Sequence, residues 1–162
     1  AMIYQFLHQH AIAFERVDHP PVFTCEEARR LVPNLDGAET KNLFLRDAKG
    51  RRHFLVAVRP DKSVALKELG GVLGANGLRF GSAGRLSKHL GLSPGSVTLL
   101  GVLNDVSSAV EVVIDQELWD SEAFLCHPLV NTSTLRIEKT QLLKFLELTK
   151  HPPRILPIPG TT

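Results

Sequence analysis

The chain has 162 residues, 43% of them hydrophobic and 22% charged, with a formal net charge of +2. That length encloses a substantial core and suits one globular domain spanning 1–162. The small net charge is too little for a protein that grips long duplexes through many phosphates, so DNA is not an expected partner.

Two cysteines, Cys25 and Cys126, stand far apart without Cys-x-x-Cys or Cys/His ligand spacing, and the seven histidines form no His-Glu-x-x-His pattern. Neither a disulfide framework nor a metal site is expected. No apolar run has the length of a membrane span, and the stretch from Met2 to His8 lacks a basic leader with a cleavage site. The expectation is a cytoplasmic protein without membrane contact, in which Ala1 is an addition ahead of Met2.

In chain order, Ile3, Phe6, Leu7 and His10 have the spacing of a short amphipathic helix, followed by an extended run Phe14-Glu15-Arg16-Val17. His19-Pro20-Pro21 forbids a helix. Thr24 followed by Glu27 is a capping-box pattern and predicts a helix that carries Ala28, Leu31 and Val32 inward until Pro33. Asn34 to Glu39 reads as a polar loop. From Asn42 to Val58 the pattern is a hairpin with its turn at Asp47-Ala48-Lys49-Gly50, and the apolar run Phe54 to Val58 predicts a central strand covered on both faces. Helical stretches are predicted around Ser63 to Leu69 and Ser82 to Leu90, the second capped by Ser82 and stopped by Gly91. Pro94-Gly95 signals a turn ahead of Val97 to Leu103. Val110, Val112 and Ile114 alternate with Glu111 and Asp115, as in a strand with one wet face. A last helix from about Thr140 carries Leu142, Leu143, Phe145, Leu146 and Leu148 up to Pro152-Pro153, and 154–162 reads as an irregular tail. Strands and helices interleave without a regular β-α-β beat, which gives a mixed α/β domain rather than a Rossmann fold.

Chemistry-bearing residues fall in three segments. Lys41 begins a strand, where position alone describes a solvated lysine; beside it Asn42 offers a donor and an acceptor, or a cap on a sheet edge. Gly95-Ser96-Val97-Thr98-Leu99 follows a turn proline; a glycine there permits close backbone approach to a ligand, or an ordinary helix-to-strand turn. His127-Pro128-Leu129-Val130-Asn131-Thr132 sets an imidazole and hydrogen-bonding side chains where a buried strand would otherwise be expected. No sequence neighbour supplies the carboxylate that orients a catalytic imidazole, so His127 reads as a positioning residue or as a structural histidine. Cys126 reads as a small buried hydrophobe or a pocket wall, not a nucleophile.

Together, Lys41-Asn42-Leu43-Phe44-Leu45, Pro94-Gly95-Ser96-Val97-Thr98 and His127-Pro128-Leu129-Val130-Asn131 resemble, in order, the motifs of the YbaK/ProX family, free-standing homologues of the editing domain inserted in bacterial prolyl-tRNA synthetases. The resemblance runs from about His19 to about Ile137. It implies a curved, barrel-like mixed sheet surrounded by helices. It also implies a cofactor-free deacylase that hydrolyses mischarged aminoacyl-tRNA, with alanyl-tRNA for proline as the expected substrate. The implied partners are the acceptor end of the tRNA and a prolyl-tRNA synthetase. Lys41 and the Gly95, Ser96, Val97 and Thr98 loop are then the catalytic set, and Asn42, Leu99, Cys126 and His127 the substrate-binding set. Leu99 stands where the family's Gly-x-x-x-Pro loop ends in proline. A non-catalytic module that binds the tRNA end or a synthetase is the alternative reading.

Overall fold

A computed structural model describes residues 2–21 and 36–161, and its strands divide between two mixed sheets. The elements, in order, are α1 (Met2–Gln9), β1 (Glu15–Asp18), β2 (Ala38–Glu39), β3 (Lys41–Arg46), β4 (His53–Val58), α2 (Leu66–Leu73), β5 (Arg79–Phe80), α3 (Ala83–Leu90), β6 (Val110–Asp115), α4 (Gln116–Trp119), β7 (Ala123–Cys126), β8 (Ser133–Glu138), α5 (Lys139–Leu148) and β9 (Arg154–Leu156). The four-stranded sheet has the order β1-β8-β7-β2 and the five-stranded sheet β5-β3-β4-β6-β9. The expected mixed α/β class is present, with the described strands in two sheets.

All six residues of β4 are buried, as its unbroken apolar run requires, and it pairs antiparallel with β3 and parallel with β6. Its side chains alternate between two cores. Leu55 and Ala57 join the larger cluster with Val112 and Ile114 of β6, Phe124 and Cys126 of β7, Leu135 and Ile137 of β8, and Phe145 and Leu146 of α5. Phe54, Val56 and Val58 join the smaller one with Leu69 and Leu73 of α2 and Ile158. Each fully buried side chain of this kind stabilises the fold by about 1.5–3 kcal/mol.

Local signals explain the helix ends. Ser82 Oγ accepts from Arg85 N at 3.2 Å at the start of α3, and Gly91 closes that helix at φ 65, a conformation that costs a residue with a Cβ. The helix expected at Thr24 lies outside the described residues.

Four expectations need correction. Ala38–Glu39, expected in a loop, pairs parallel with Phe124 and Leu125. The helix expected from Ser63 starts only at Leu66, because Val64 bridges to Gly160. The face of β6 expected to be wet is mostly covered: Val113 packs in the smaller cluster with Leu69, Leu73 and Ile158, Asp115 is only 1% exposed with Lys62 Nζ donating to its Oδ2 at 2.6 Å, and only Glu111 stays half-buried. The tail is not irregular throughout, since Arg154–Leu156 adds to β6 as a parallel edge strand.

Candidate active site

Two of the site segments adjoin where the sheets meet. Thr40, between β2 and β3, donates its hydroxyl to Leu125 O of β7 at 2.9 Å, so the start of β3 and the end of β7 lie side by side. Lys41 and Asn42 begin β3; Cys126 ends β7 and His127 follows it. The pleat sends the first two side chains to opposite faces. Asn42 lies opposite Ala57 and shares the larger core's face, whereas Lys41 lies opposite Val58 on the other. The Lys41 ammonium donates to Lys62 O, and among the described residues no carboxylate pairs with it. Asn42 donates to Thr40 Oγ1 at 3.5 Å, and its Oδ1 is buried with no hydrogen-bond partner. A buried acceptor in that state costs roughly 1–3 kcal/mol, which a ligand donor would recover.

Pro94–Ser96 forms one 3-10 turn and Leu99–Asn104 a second, so the segment after Pro94-Gly95 is helical rather than a strand. Gly95, Ser96 and Val97 are half-buried; Thr98 and Leu99 are buried. Thr98 caps the second turn, its Oγ1 accepting from Leu100 N at 3.4 Å. Leu99 therefore occupies the first helical position, the place where a proline's fixed φ fits without loss of a hydrogen bond. The Thr98 cap fixes the turn in the absence of that proline. Among the described residues, the amide groups of Val97 and Thr98 find no acceptor. Val97 packs against the same cluster that holds Leu99, Cys126 and Ala57.

The loop from His127 to Thr132 joins β7 to β8 and is pinned at both ends. His127 Nδ1 lies 3.2 Å from Ser133 O, and His19 N donates to Thr132 O at 2.9 Å. A carbonyl only accepts, so Nδ1 of His127 carries the proton. In the neutral ring Nε2 is then a free acceptor, without a partner among the described residues. Burial is the main cause holding the His127 pKa below its ordinary 6.5, reinforced by the charge of His19 and opposed by the bond to Ser133, so the neutral ring is favoured. Leu129, within the loop, adopts φ 68, which costs a non-glycine residue on the order of 1–2 kcal/mol. Cys126 is 3% exposed and burial pushes its thiol up to about 12, so it stays protonated and forms core beneath the site.

His19 is expected as scaffold with a contact to the cleft rather than as a catalytic or binding residue. Its ring spans Pro20 O and Thr134 Oγ1 of β8, each at 2.8 Å, while its backbone N ties the end of β1 to Thr132 of the His127 loop. The adjoining Pro20 was the available signal, since it holds the histidine in an extended segment. Among the described residues, no group of three His, Cys, Asp or Glu side chains could hold a metal ion, and no helix is long and apolar enough to cross a membrane.

Residues 19–145 match the family model for the aminoacyl-tRNA editing domain. The chain is 43% identical over 154 residues to the prolyl-tRNA synthetase associated domain-containing protein 1 of Danio rerio, covering 94% of this chain and 83% of that protein. It is 40% identical over 137 residues to the prolyl-tRNA editing protein ProX of Acetoanaerobium sticklandii, covering 84% of this chain and 83% of that protein. In fold, it matches the crystal structure of a candidate trans-editing enzyme for prolyl tRNA synthetase, with a TM-score of 0.74 at 17% identity over 99% of this chain and 96% of that one. The family match spans all three site segments, and the chain accordingly belongs to the aminoacyl-tRNA editing domain family, as an aminoacyl-tRNA deacylase.

Proposed function

We propose that this deacylase acts in trans on tRNA mischarged in place of proline, with alanyl-tRNA for proline as its preferred substrate. The observation that supports the reading is that each of the three segments carries polar groups without partners among the described residues: Asn42 Oδ1, the Val97 and Thr98 amides, and His127 Nε2. An aminoacyl ester is already activated, so orienting water and stabilising the oxyanion supply much of the needed acceleration. Water adds to the ester carbonyl carbon while the Val97 and Thr98 amides donate to the developing oxyanion. The bond from that carbon to the ribose oxygen then breaks, the oxygen takes up a proton, and free amino acid leaves. His127 Nε2 and Asn42 Oδ1 accept from the substrate's ammonium or ribose hydroxyl, and the uncompensated Lys41 charge holds a phosphate at the tRNA end. Leu99 and Cys126 make a rigid floor that admits alanine and excludes bulkier side chains.

A deacylation panel over alanyl-, cysteinyl-, seryl- and prolyl-tRNA tests the proposal. Alanine release from the proline tRNA is expected to be fastest. Faster turnover of another ester would reassign the substrate, and no turnover on any would make the chain a binding module.

The tautomer of His127 gives a pH dependence. Protonation removes its Nε2 acceptor, and the depressed pKa delays this, so kcat/KM should hold steady as pH falls through 6.5 and decline only at lower values. A pH profile of wild type and His127→Gln checks it. An acid limb at or above 6.5, or one that persists unchanged in the variant, would remove His127 from this role.

A further inference from the structure

We infer that the β3–β4 turn and the adjoining edge of the five-stranded sheet form a second contact surface for tRNA, one that grips the phosphate backbone beyond the acceptor end. The inference rests on the deacylase reading and extends it to a part of the molecule remote from the ester. From Lys41 to Asn104 the chain has eleven lysines and arginines against three carboxylates, although the whole chain carries only +2. Folding gathers much of this excess in one place. Arg46 ends β3 directly opposite Arg79 of edge strand β5, and both guanidinium groups bond only to carbonyls: Arg46 to Asp47 O and Ala48 O at 3.1 and 3.2 Å, Arg79 to Gly77 O at 3.0 Å.

Lys49 and Arg51 are exposed in the turn between them and β4. Ala48 N donates to Asn76 O at 2.9 Å, which holds that turn against the segment leading into β5. Arg85 of α3 lies across the turn, donating to Gly50 O at 3.2 Å, and Lys88 follows one helical turn later. Gly50, at φ 67, leaves room for that guanidinium; a Cβ there would come within 2.6 Å of Arg85 Nη2.

Among the described residues, none of Arg46, Lys49, Arg51, Arg79, Arg85 and Lys88 pairs with a carboxylate. The acid closest in sequence, Asp47, spends its Oδ1 on the amides of Arg51 and Arg52. Like charges directly opposite across two strands destabilise a sheet, and a bound polyanion reverses the sign of that effect. Phe80, next to Arg79, is 61% exposed and offers an aromatic face beside the cations. From Lys41 to Arg46 is five residues of strand, about 16 Å at the ~3.3 Å rise of a strand. A tRNA whose unpaired end is seated near Lys41 can therefore bring the paired stem that follows it onto this surface.

The test substitutes Arg46, Lys49, Arg51 and Arg79 together by glutamine, leaving Arg85 in place because it also bonds His53. Circular dichroism verifies the fold. The affinity of uncharged proline tRNA is measured against salt concentration, and deacylation is measured on full-length alanyl-tRNA and on an alanylated oligonucleotide carrying only the unpaired acceptor end. The variant should bind tRNA at least about tenfold more weakly near 0.15 M salt, and the slope of log K against log salt should shrink by about one for each lost phosphate contact. KM should rise on full-length tRNA with kcat retained, and turnover of the short substrate should match wild type. Unchanged tRNA affinity and slope would overturn the inference, as would equal losses on both substrates. If the wild type deacylates nothing, the deacylase reading fails, and the binding titration still decides whether this surface holds tRNA.

Discussion

Lys41→Ala is expected to lower kcat/KM for the mischarged tRNA by about a hundredfold or more, the order of effect for losing one polar group that acts on developing or bound negative charge in a site shielded from water. The ammonium is uncompensated by any carboxylate among the described residues and rests only on the carbonyl of Lys62, an arrangement that a phosphate or ester oxygen can replace. Neighbouring Lys62 does not substitute for it, being held by Asp115 at 2.6 Å, by Ile158 O at 2.8 Å and by Glu117 at 3.5 Å. The fold should survive, because Lys41 is a half-buried strand terminus whose backbone pairing with Val58 does not need the side chain. Single-turnover deacylation beside a urea melt checks both halves. Asn42→Ala provides the comparison across the sheet. Should Lys41→Ala turn over at the wild-type rate while Asn42→Ala fails, the face of the larger core alone carries the chemistry.

Asp105→Ala is expected to cost about 3–5 kcal/mol of stability, because it strands several buried donors at roughly 1–3 kcal/mol each. Asp105 and His151 are 4% and 3% exposed, and His151 Nε2 lies 2.8 Å from Asp105 Oδ2. The same carboxylate accepts from Val110 N at 2.8 Å and Ala109 N at 3.1 Å, so it joins the end of the second 3-10 turn to the start of β6 and to the segment after α5. Alanine leaves these donors without acceptors in a space that excludes water. For a domain of this size the melting temperature should fall by roughly 6–20 °C. Asp105→Asn, which keeps one acceptor oxygen, should recover part of the loss. An unfolding free energy from urea melts within about 1 kcal/mol of wild type for the alanine variant would mean that the donors find other partners.

The parts of the fold legible in sequence are those decided by short-range chemistry. The Phe54 to Val58 run, the Ser82 cap and Gly91 stop, and the amphipathic spacing around Leu7 all state their outcome locally. Strand β6 misled because Glu111 and Asp115 look like a wet face, whereas Arg52 takes the first at 2.9 Å and Lys62 the second, both from distant positions. Strand β9 was invisible because a three-residue edge strand after two prolines owes its existence to pairing with β6 and to nothing in its own pattern. Within the candidate site, the motifs named segments but not the sides of the sheet. That Lys41 and Asn42 diverge follows from the pairing of β3 with β4, and the lone Oδ1 of Asn42 and the His127 tautomer depend on atoms contributed by other elements.

The contrast between β4 and the His127 loop has a consequence for hydrogen exchange. Amides of β4, paired on both sides and buried at every residue, should exchange only when the whole molecule unfolds. The loop from His127 to Thr132 is tied by single bonds at His127 and Thr132 and strained at Leu129, so its amides should open locally and trade deuterium far sooner. One labelling experiment thus carries its own clock. Slowing confined to the loop reports an occupied site, and slowing shared with β4 reports a protein made more stable throughout.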